Sequence, residues 1–173
     1  MTAENELVEP LCGWFREELG SHNLLLIHEE PQGRGGRRPD LLVVVGRVDS
    51  TIDDVIMIPV EIENSTRGAI HDPKNGLRQL RKYSGNFKYL AIPGTVARRA
   101  TAREIHARCI SWGAGLLVVN HLLGEVELAV PPHEQVPDRT LRTFPVAMRR
   151  WIALRSSTDA YRHISHGRIV DRV

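Results

Sequence analysis

Apolar residues fall at helical spacing near the start of the chain and in short continuous runs further on. Leu7, Leu11, Trp14, Phe15 and Leu19 recur on one side of a helix predicted over residues 5–19. Asn5 stands where a cap belongs, and Glu6 and Glu9 fall in the first turn, where the helix dipole favours anions. Pro10 offers the regular helix an alternative start. After Gly20 and Ser21, the run Leu24–Ile27 predicts a short strand. Leu41–Val45 is continuously apolar, as for a strand covered on both faces, and Val55–Ile62 is its companion across a polar turn at 46–54. Pro59 lacks an N–H, which predicts an edge or a bulge just before Glu61.

Beyond a loop at 64–75, Leu77 and Leu80 mark a helix, and KYLAIP (88–93) marks another strand. Residues 97–112 read as a helix that is basic on one side, 115–120 (GLLVVN) as a buried strand, and 125–130 as an alternating edge strand. The order α-β-β-β-α-β-α-β-β predicts an α/β domain over residues 1–130, with a mixed central β-sheet flanked by helices. Pro131, Pro132 and Pro137 suggest a linker at 131–140, and residues 131–173 are expected to hold that linker and a helical, basic C-terminal extension.

Composition narrows this picture only slightly. The chain has 173 residues, 25% charged and 42% hydrophobic, which suits one well-buried core. No apolar run approaches the roughly 20 residues that cross a bilayer, and the acidic start MTAENELVEP lacks a secretory pattern, so no membrane association and a cytoplasmic location are expected. Cys12 and Cys109 are isolated, without metal-site spacing, and are expected as small core residues. The net charge of +2 excludes little, although the cations are 20 Arg and 3 Lys. Arg suits phosphate recognition, but base composition of the genome raises Arg over Lys equally well.

The acidic residues at the strand ends carry the chemistry. Asp40 opens the first of the paired runs, and Glu61 and Glu63 close the second. A hairpin folds those ends together, and residues two apart in a strand point to one face. Three converging carboxylates repel unless a cation lies between them, and an all-oxygen set favours Mg²⁺ or Mn²⁺. Ahead of Asp40, the loop PQGRGGRRP (31–39) has three Gly and three Arg; Arg34, Arg37 and Arg38 are placed to reach phosphates beside such a site. A solvated hairpin loop accounts for the same composition. Arg67, His71, Asp72 and Lys74 are further candidates to line the site, though His71 has no second His in register. Gln79 and Tyr83 are spaced i, i+4, on one face of the helix after that loop.

An acid after Pro (Asp40), an E-x-E strand end (Glu61, Glu63), and Q-x-x-x-Y on the next helix (Gln79, Tyr83) together resemble the PD-(D/E)XK nuclease superfamily, in its RecB-type branch. The resemblance spans about residues 5–130 and lies in motif order. It implies a restriction-endonuclease-like fold and a metal-dependent nuclease acting on DNA, in repair, restriction or defence. It also implies metal ligation by Asp40 and Glu61, with the Ile62 carbonyl as a third ligand. Gln79 and Tyr83 would face the substrate, and an acid on the first helix would reach the metal, Glu6 first and Glu9 second. One position departs: the family's Lys is Glu63 here. Glu63 is then a proton acceptor or a ligand of a second metal, or the Lys has moved to Lys82 or Lys74. The remaining alternative is a decayed site, in a module that binds nucleic acid or a partner protein without cutting. Nuclease folds of this size often dimerise to cut both strands, so a homodimer is allowed, but no dimer signature stands in the sequence.

Overall fold

A computed structural model describes residues 4–19, 24–28, 39–45, 55–72, 76–140 and 168–169. Helix α1 (Asn5–Leu19) precedes strands β1 (Leu24–His28), β2 (Leu41–Val45) and β3 (Ile56–Ile62). A π-helical turn at Arg67–His71 and helix α2 (Gly76–Leu80) lead to β4 (Tyr89–Pro93). Then come α3 (Gly94–Ala97), α4 (Ala102–Trp112), β5 (Gly115–Asn120), β6 (Glu125–Val130) and a two-residue β7 (Arg168–Ile169). The predicted order of elements is the order observed. The expected helix at 97–112 is split into α3 and α4, with i→i+3 bonds from Arg99 to Val96 and Ala102 to Arg99 tightening the chain between them.

The strands form one sheet in the order β6-β5-β4-β3-β2-β1-β7. It is mixed: β3–β4 and β4–β5 are parallel and the other pairs antiparallel. Parallel neighbours need crossovers, which α2 and the α3–α4 pair provide. Alternation along the strands then builds a separate core on each face. On one side Leu7, Leu11 and Phe15 of α1 pack against Leu41, Val43, Val60, Ile62 and Ala91. Trp14, Phe15 and Tyr89 meet there edge to face, with ring centroids 4.9–6.0 Å apart. On the other, Leu77, Leu80 and Tyr83 join Leu90, Ile92, Ile105 and Cys109. Cys12 and Cys109 are both fully buried core residues, and burial pushes the Cys109 thiol up to about 12. Among the described residues, no helix is long and apolar enough to cross a membrane.

Pro59 sits neither in an outer strand nor at a bulge, because β2 and β3 pair without a register shift through Leu42↔Pro59. The reason is an overhang. β3 begins before its pairing with β4, which starts at Val60↔Tyr89. Residues 84–87 cover the overhang, with Asn86 donating to the Met57 carbonyl at 2.7 Å and its Oδ1 accepting from the Met57 amide at 2.9 Å. The Pro59 ring packs where a Cβ on Gly85 would be, so no ladder donor is missed.

The expected linker is fastened to the domain as far as Gln135. His133 N–H donates to the Gly113 carbonyl at 3.0 Å and Gln135 N–H to the Asn86 carbonyl at 2.7 Å. Of the C-terminal extension, Arg168 and Ile169 pair with His28 and Ile27 at the sheet edge. The helix expected after residue 140 lies outside the described residues.

Candidate functional site

The β2–β3 register fixes the site. Leu41 pairs with Val60, so Asp40 lies beside Glu61, one step past the last paired residues. There Asp40 Oδ2 accepts a hydrogen bond from the Ile62 amide at 2.7 Å and extends the ladder by a side chain. Val60 and Ile62 face α1, so Glu61 faces the α2 side, alongside its β4 neighbour Leu90. Glu63 follows, its amide donating to the Ala91 carbonyl at 2.9 Å. The sheet changes here from antiparallel to parallel pairing, and the acids lie at the carboxyl end of β3.

Both glutamates are buried: Glu61 is 3% and Glu63 5% exposed. Burial is the main reason that each carboxyl holds its proton more tightly than usual. Glu61 is raised well above the ordinary range by burial, then by the Asp40 charge. Glu63 is pushed up to about 8 by burial, then by Glu4 and Asp40. Asp40 is pushed up to about 6 by burial, with the Ile62 amide pulling the other way. The charges acting most on these groups are those of other carboxyls.

Gln79 and Tyr83 meet Glu61 as a relay of donors. Gln79 Nε2 donates to the Tyr83 hydroxyl at 2.5 Å, and Tyr83 donates in turn to the Glu61 carboxyl, which Gln79 also reaches. Tyr83 lies past the end of α2, where i→i+3 bonds from Lys82 to Gln79 and from Tyr83 to Leu80 tighten the chain. The pair therefore faces one way although the helix has ended. Tyr83 is a core residue, 2% exposed, and its hydroxyl is turned to Glu61. The second carboxyl oxygen, Glu61 Oε1, is buried without a hydrogen-bond partner. Removing the hydroxyl by Tyr83→Phe would deprive a buried carboxyl of a donor. A loss of about 1–3 kcal/mol in urea unfolding is expected, and an unchanged midpoint would show that the relay does not hold Glu61.

Two glycines shape the pocket of Glu63. A Cβ on Gly68, in the π-helical turn, would collide with Glu63 Oε2. Gly76 opens α2 at φ 54°, where a Cβ would strike the carbonyls of Gly68 and Ala69, and its amide donates to the Glu63 carboxyl. The turn is anchored from outside by Thr66 and Thr101, whose hydroxyls are 2.9 Å apart.

Other candidates lie elsewhere. Glu6 is paired with His121 at 4.0 Å, and it is Glu4 whose charge bears on both Asp40 and Glu63. The helix starts at Asn5, with the Leu7 amide bonded to the Glu4 carbonyl, so Asn5 is its first residue and Glu4 stands at its mouth. Asp72 acts on Glu63 through its charge, whereas His71 turns to Glu104 of α4 at 3.7 Å. Lys82 is exposed on the turn after α2. Arg34, Arg37, Arg38 and Lys74 lie outside the described residues.

Each acid has a donor of its own: Asp40 the Ile62 amide, Glu61 Tyr83 and Gln79, and Glu63 the Gly76 amide. Among the described residues, no group of three or more His, Cys, Asp or Glu side chains closes into a metal-binding arrangement. The donor chemistry nevertheless fits a hard divalent cation. The set is all oxygen, and Glu61 Oε1 is a buried acceptor lacking the positive partner that would satisfy it. No model of a known protein family matches the chain, and no curated protein matches it.

Proposed function

We propose that the protein is a metal-dependent nuclease that hydrolyses phosphodiester bonds in DNA, with Asp40 and Glu61 as the principal metal ligands. The observation that carries this reading is Glu61. It is a buried carboxyl beside Asp40, oriented by Tyr83 and Gln79, with one oxygen left without a partner. A buried acid that serves only the fold would be better replaced by an apolar residue. A bound Mg²⁺ or Mn²⁺ would supply Lewis-acid polarisation of the phosphodiester and activation of water.

The chain's own residues then divide the work. Asp40 and Glu61 bring two negative charges to the end of β3, and the Tyr83–Gln79 relay sets the Glu61 carboxyl in one orientation. Glu63 occupies the position of the family's Lys. Held near 8, it carries a proton at neutral pH, which lowers the negative charge that an incoming phosphate meets. A cation beside it would favour the ionised form, which accepts a proton from the attacking water. The DNA strand is expected along the α2 side of the sheet.

The test is cleavage of labelled single- and double-stranded DNA with Mg²⁺, Mn²⁺ or EDTA, run beside Asp40→Ala. Cleavage that needs the cation and disappears in the variant is the expected result. Metal-dependent cleavage that persists at the wild-type rate in Asp40→Ala would remove the ligand assignment.

Glu63, standing where the family has Lys, favours one second reading, a nuclease-derived module that binds DNA without cutting it. It predicts salt-sensitive DNA binding that ignores EDTA, and no cleavage under any of these conditions.

A further inference from the structure

The sheet separates the charges of the molecule. Helix α1, on one face, carries Glu6, Glu9, Glu17 and Glu18, all exposed, against Arg16. The other face is covered by the π-helical turn, α2, α3 and α4 with their connections. There the described residues from 64 to 88 and from 94 to 113 hold nine Arg and Lys against two acids, Asp72 and Glu104. A chain whose net charge is only +2 therefore has one strongly basic side.

Four of these cations lie together beside the candidate site. A hydrogen bond between the Thr66 and Thr101 hydroxyls, 2.9 Å apart, ties the chain after β3 to the start of α4. Arg67 follows Thr66, and Arg98, Arg99 and Arg103 lie within three residues of Thr101. All four are exposed, and none has a carboxylate partner among the described residues. The nearest acid in sequence, Glu104, is met by Arg108 at 3.3 Å and by His71 at 3.7 Å. Gly68, next to Arg67, lies against the Glu63 carboxyl, so the arginines continue directly from the carboxylates. At the far end of α4 the Arg81 guanidinium lies over the Trp112 ring, 4.9 Å from its centroid, which joins the ends of α2 and α4. Like charges gathered without acids repel one another, and a polyanion laid across them relieves that repulsion.

We propose that this arginine patch binds the phosphodiester backbone of duplex DNA, gripping the stretch that runs on from the carboxylates by its phosphates and without reading its bases. Guanidinium forks match phosphate oxygens. Binding of unpaired strands relies instead on aromatic rings that stack on the bases, and no Phe, Tyr or Trp among the described residues is exposed. The acidic α1 face repels the same backbone, which confines the DNA to one side of the sheet. The identity of the polyanion rests on the nuclease reading, but the patch does not need the carboxylates to be catalytic.

The test is fluorescence-anisotropy titration of short labelled duplexes of two unrelated sequences with the full chain in EDTA, at several salt concentrations. Equal affinity for both sequences is expected, falling steeply with salt. The triple variant Arg98→Gln, Arg99→Gln, Arg103→Gln should bind at least about tenfold more weakly, and its slope of log affinity against log salt should be shallower by roughly 2–3. Its melting temperature is measured alongside, and Arg67→Gln with Arg98→Gln serves if the triple variant is unstable. Glu17→Gln with Glu18→Gln makes the opposite face less acidic and should leave the affinity within about twofold, because salt screens charges that far away. A gain there as large as the loss in the triple variant would mean that net charge alone carries binding, and would overturn the proposal. Wild-type affinity and slope in a folded triple variant, or a preference of more than about tenfold between the sequences, would also overturn it. Failure to bind either duplex would do the same, and binding to phosphatidylserine vesicles in its place would assign the patch to a membrane surface. Cleavage assays separate this proposal from the nuclease reading. Salt-sensitive binding that the triple variant weakens, without cleavage under any condition, keeps the patch and removes the nuclease. Metal-dependent cleavage with an unchanged KM in the triple variant removes the patch and keeps the nuclease.

Discussion

Glu61→Gln is expected to raise the melting temperature in EDTA and to slow metal-dependent cleavage roughly a thousandfold, because a Lewis acid supplies several kcal/mol of barrier reduction. The two effects share one cause. Glu61 is 3% exposed and next to Asp40, so its charge is opposed first by burial and then by a like neighbour. Glutamine keeps the shape and a carbonyl acceptor for the Tyr83 hydroxyl, and it removes the charge. What the fold gains, a cation-binding site loses. Differential scanning fluorimetry and the cleavage assay on the same preparations check both parts. A variant more stable than wild type but equally active would leave Glu61 a structural residue. One that is less stable would mean that its charge is satisfied within the fold.

The second large effect concerns pH. A carboxyl whose value in the fold lies above its ordinary one stabilises the fold fully below the ordinary value, and that contribution is lost as pH rises through the raised value. Asp40 is raised to about 6 and Glu63 to about 8, so stability in EDTA should fall between about pH 4 and pH 8. For Glu63, moving from an ordinary 4.5 to about 8 corresponds to a loss on the order of 5 kcal/mol across that window. A divalent cation binds the ionised carboxyls of the folded chain, so the rise in melting temperature on adding Mn²⁺ should grow from pH 6 to pH 9. Urea titrations at several pH values, with EDTA or Mn²⁺, measure both slopes. Glu63→Gln should flatten the EDTA curve. A flat curve for the wild type would mean that the acids ionise freely, and an Mn²⁺ effect independent of pH would place the cation elsewhere.

Much of this was legible in the sequence because it depends on period and order. The runs LLVVV and IMIPVEI specify adjacent strands through their apolar continuity, and their antiparallel pairing brings Asp40 to Glu61. The α/β order, the mixed sheet and the buried cysteines follow from similarly local patterns. What escaped depends on distance. Glu4 faces the site only because α1 starts at Asn5, and helix starts are poorly specified by one or two residues. The Pro59 overhang depends on where β4 begins relative to β3, which no residue near Pro59 encodes. The glycine cradle of Glu63 arises from a π-helical turn, whose residues RGAIH carry no periodic signal. The Arg81–Trp112 stack joins the end of α2 to the end of α4, two elements with separate local patterns.

The outermost pairing of the sheet also bears on how the protein is made. Ile27 of β1 meets Ile169 of β7, so the edge of β1 is completed by residues made long after it. Contacts between such distant positions are slow to form, since a long loop must close first. On the ribosome, β1 and β2 can pair well before Arg168 and Ile169 emerge, and the free edge of β1 must then wait for them. Until β7 arrives, that edge is a template for another molecule's strand. A chain that stops before Arg168 keeps the carboxylates and carries an open edge for good. Its failure would therefore appear as poor yield and aggregation during expression, with the chemistry of the remaining folded fraction intact.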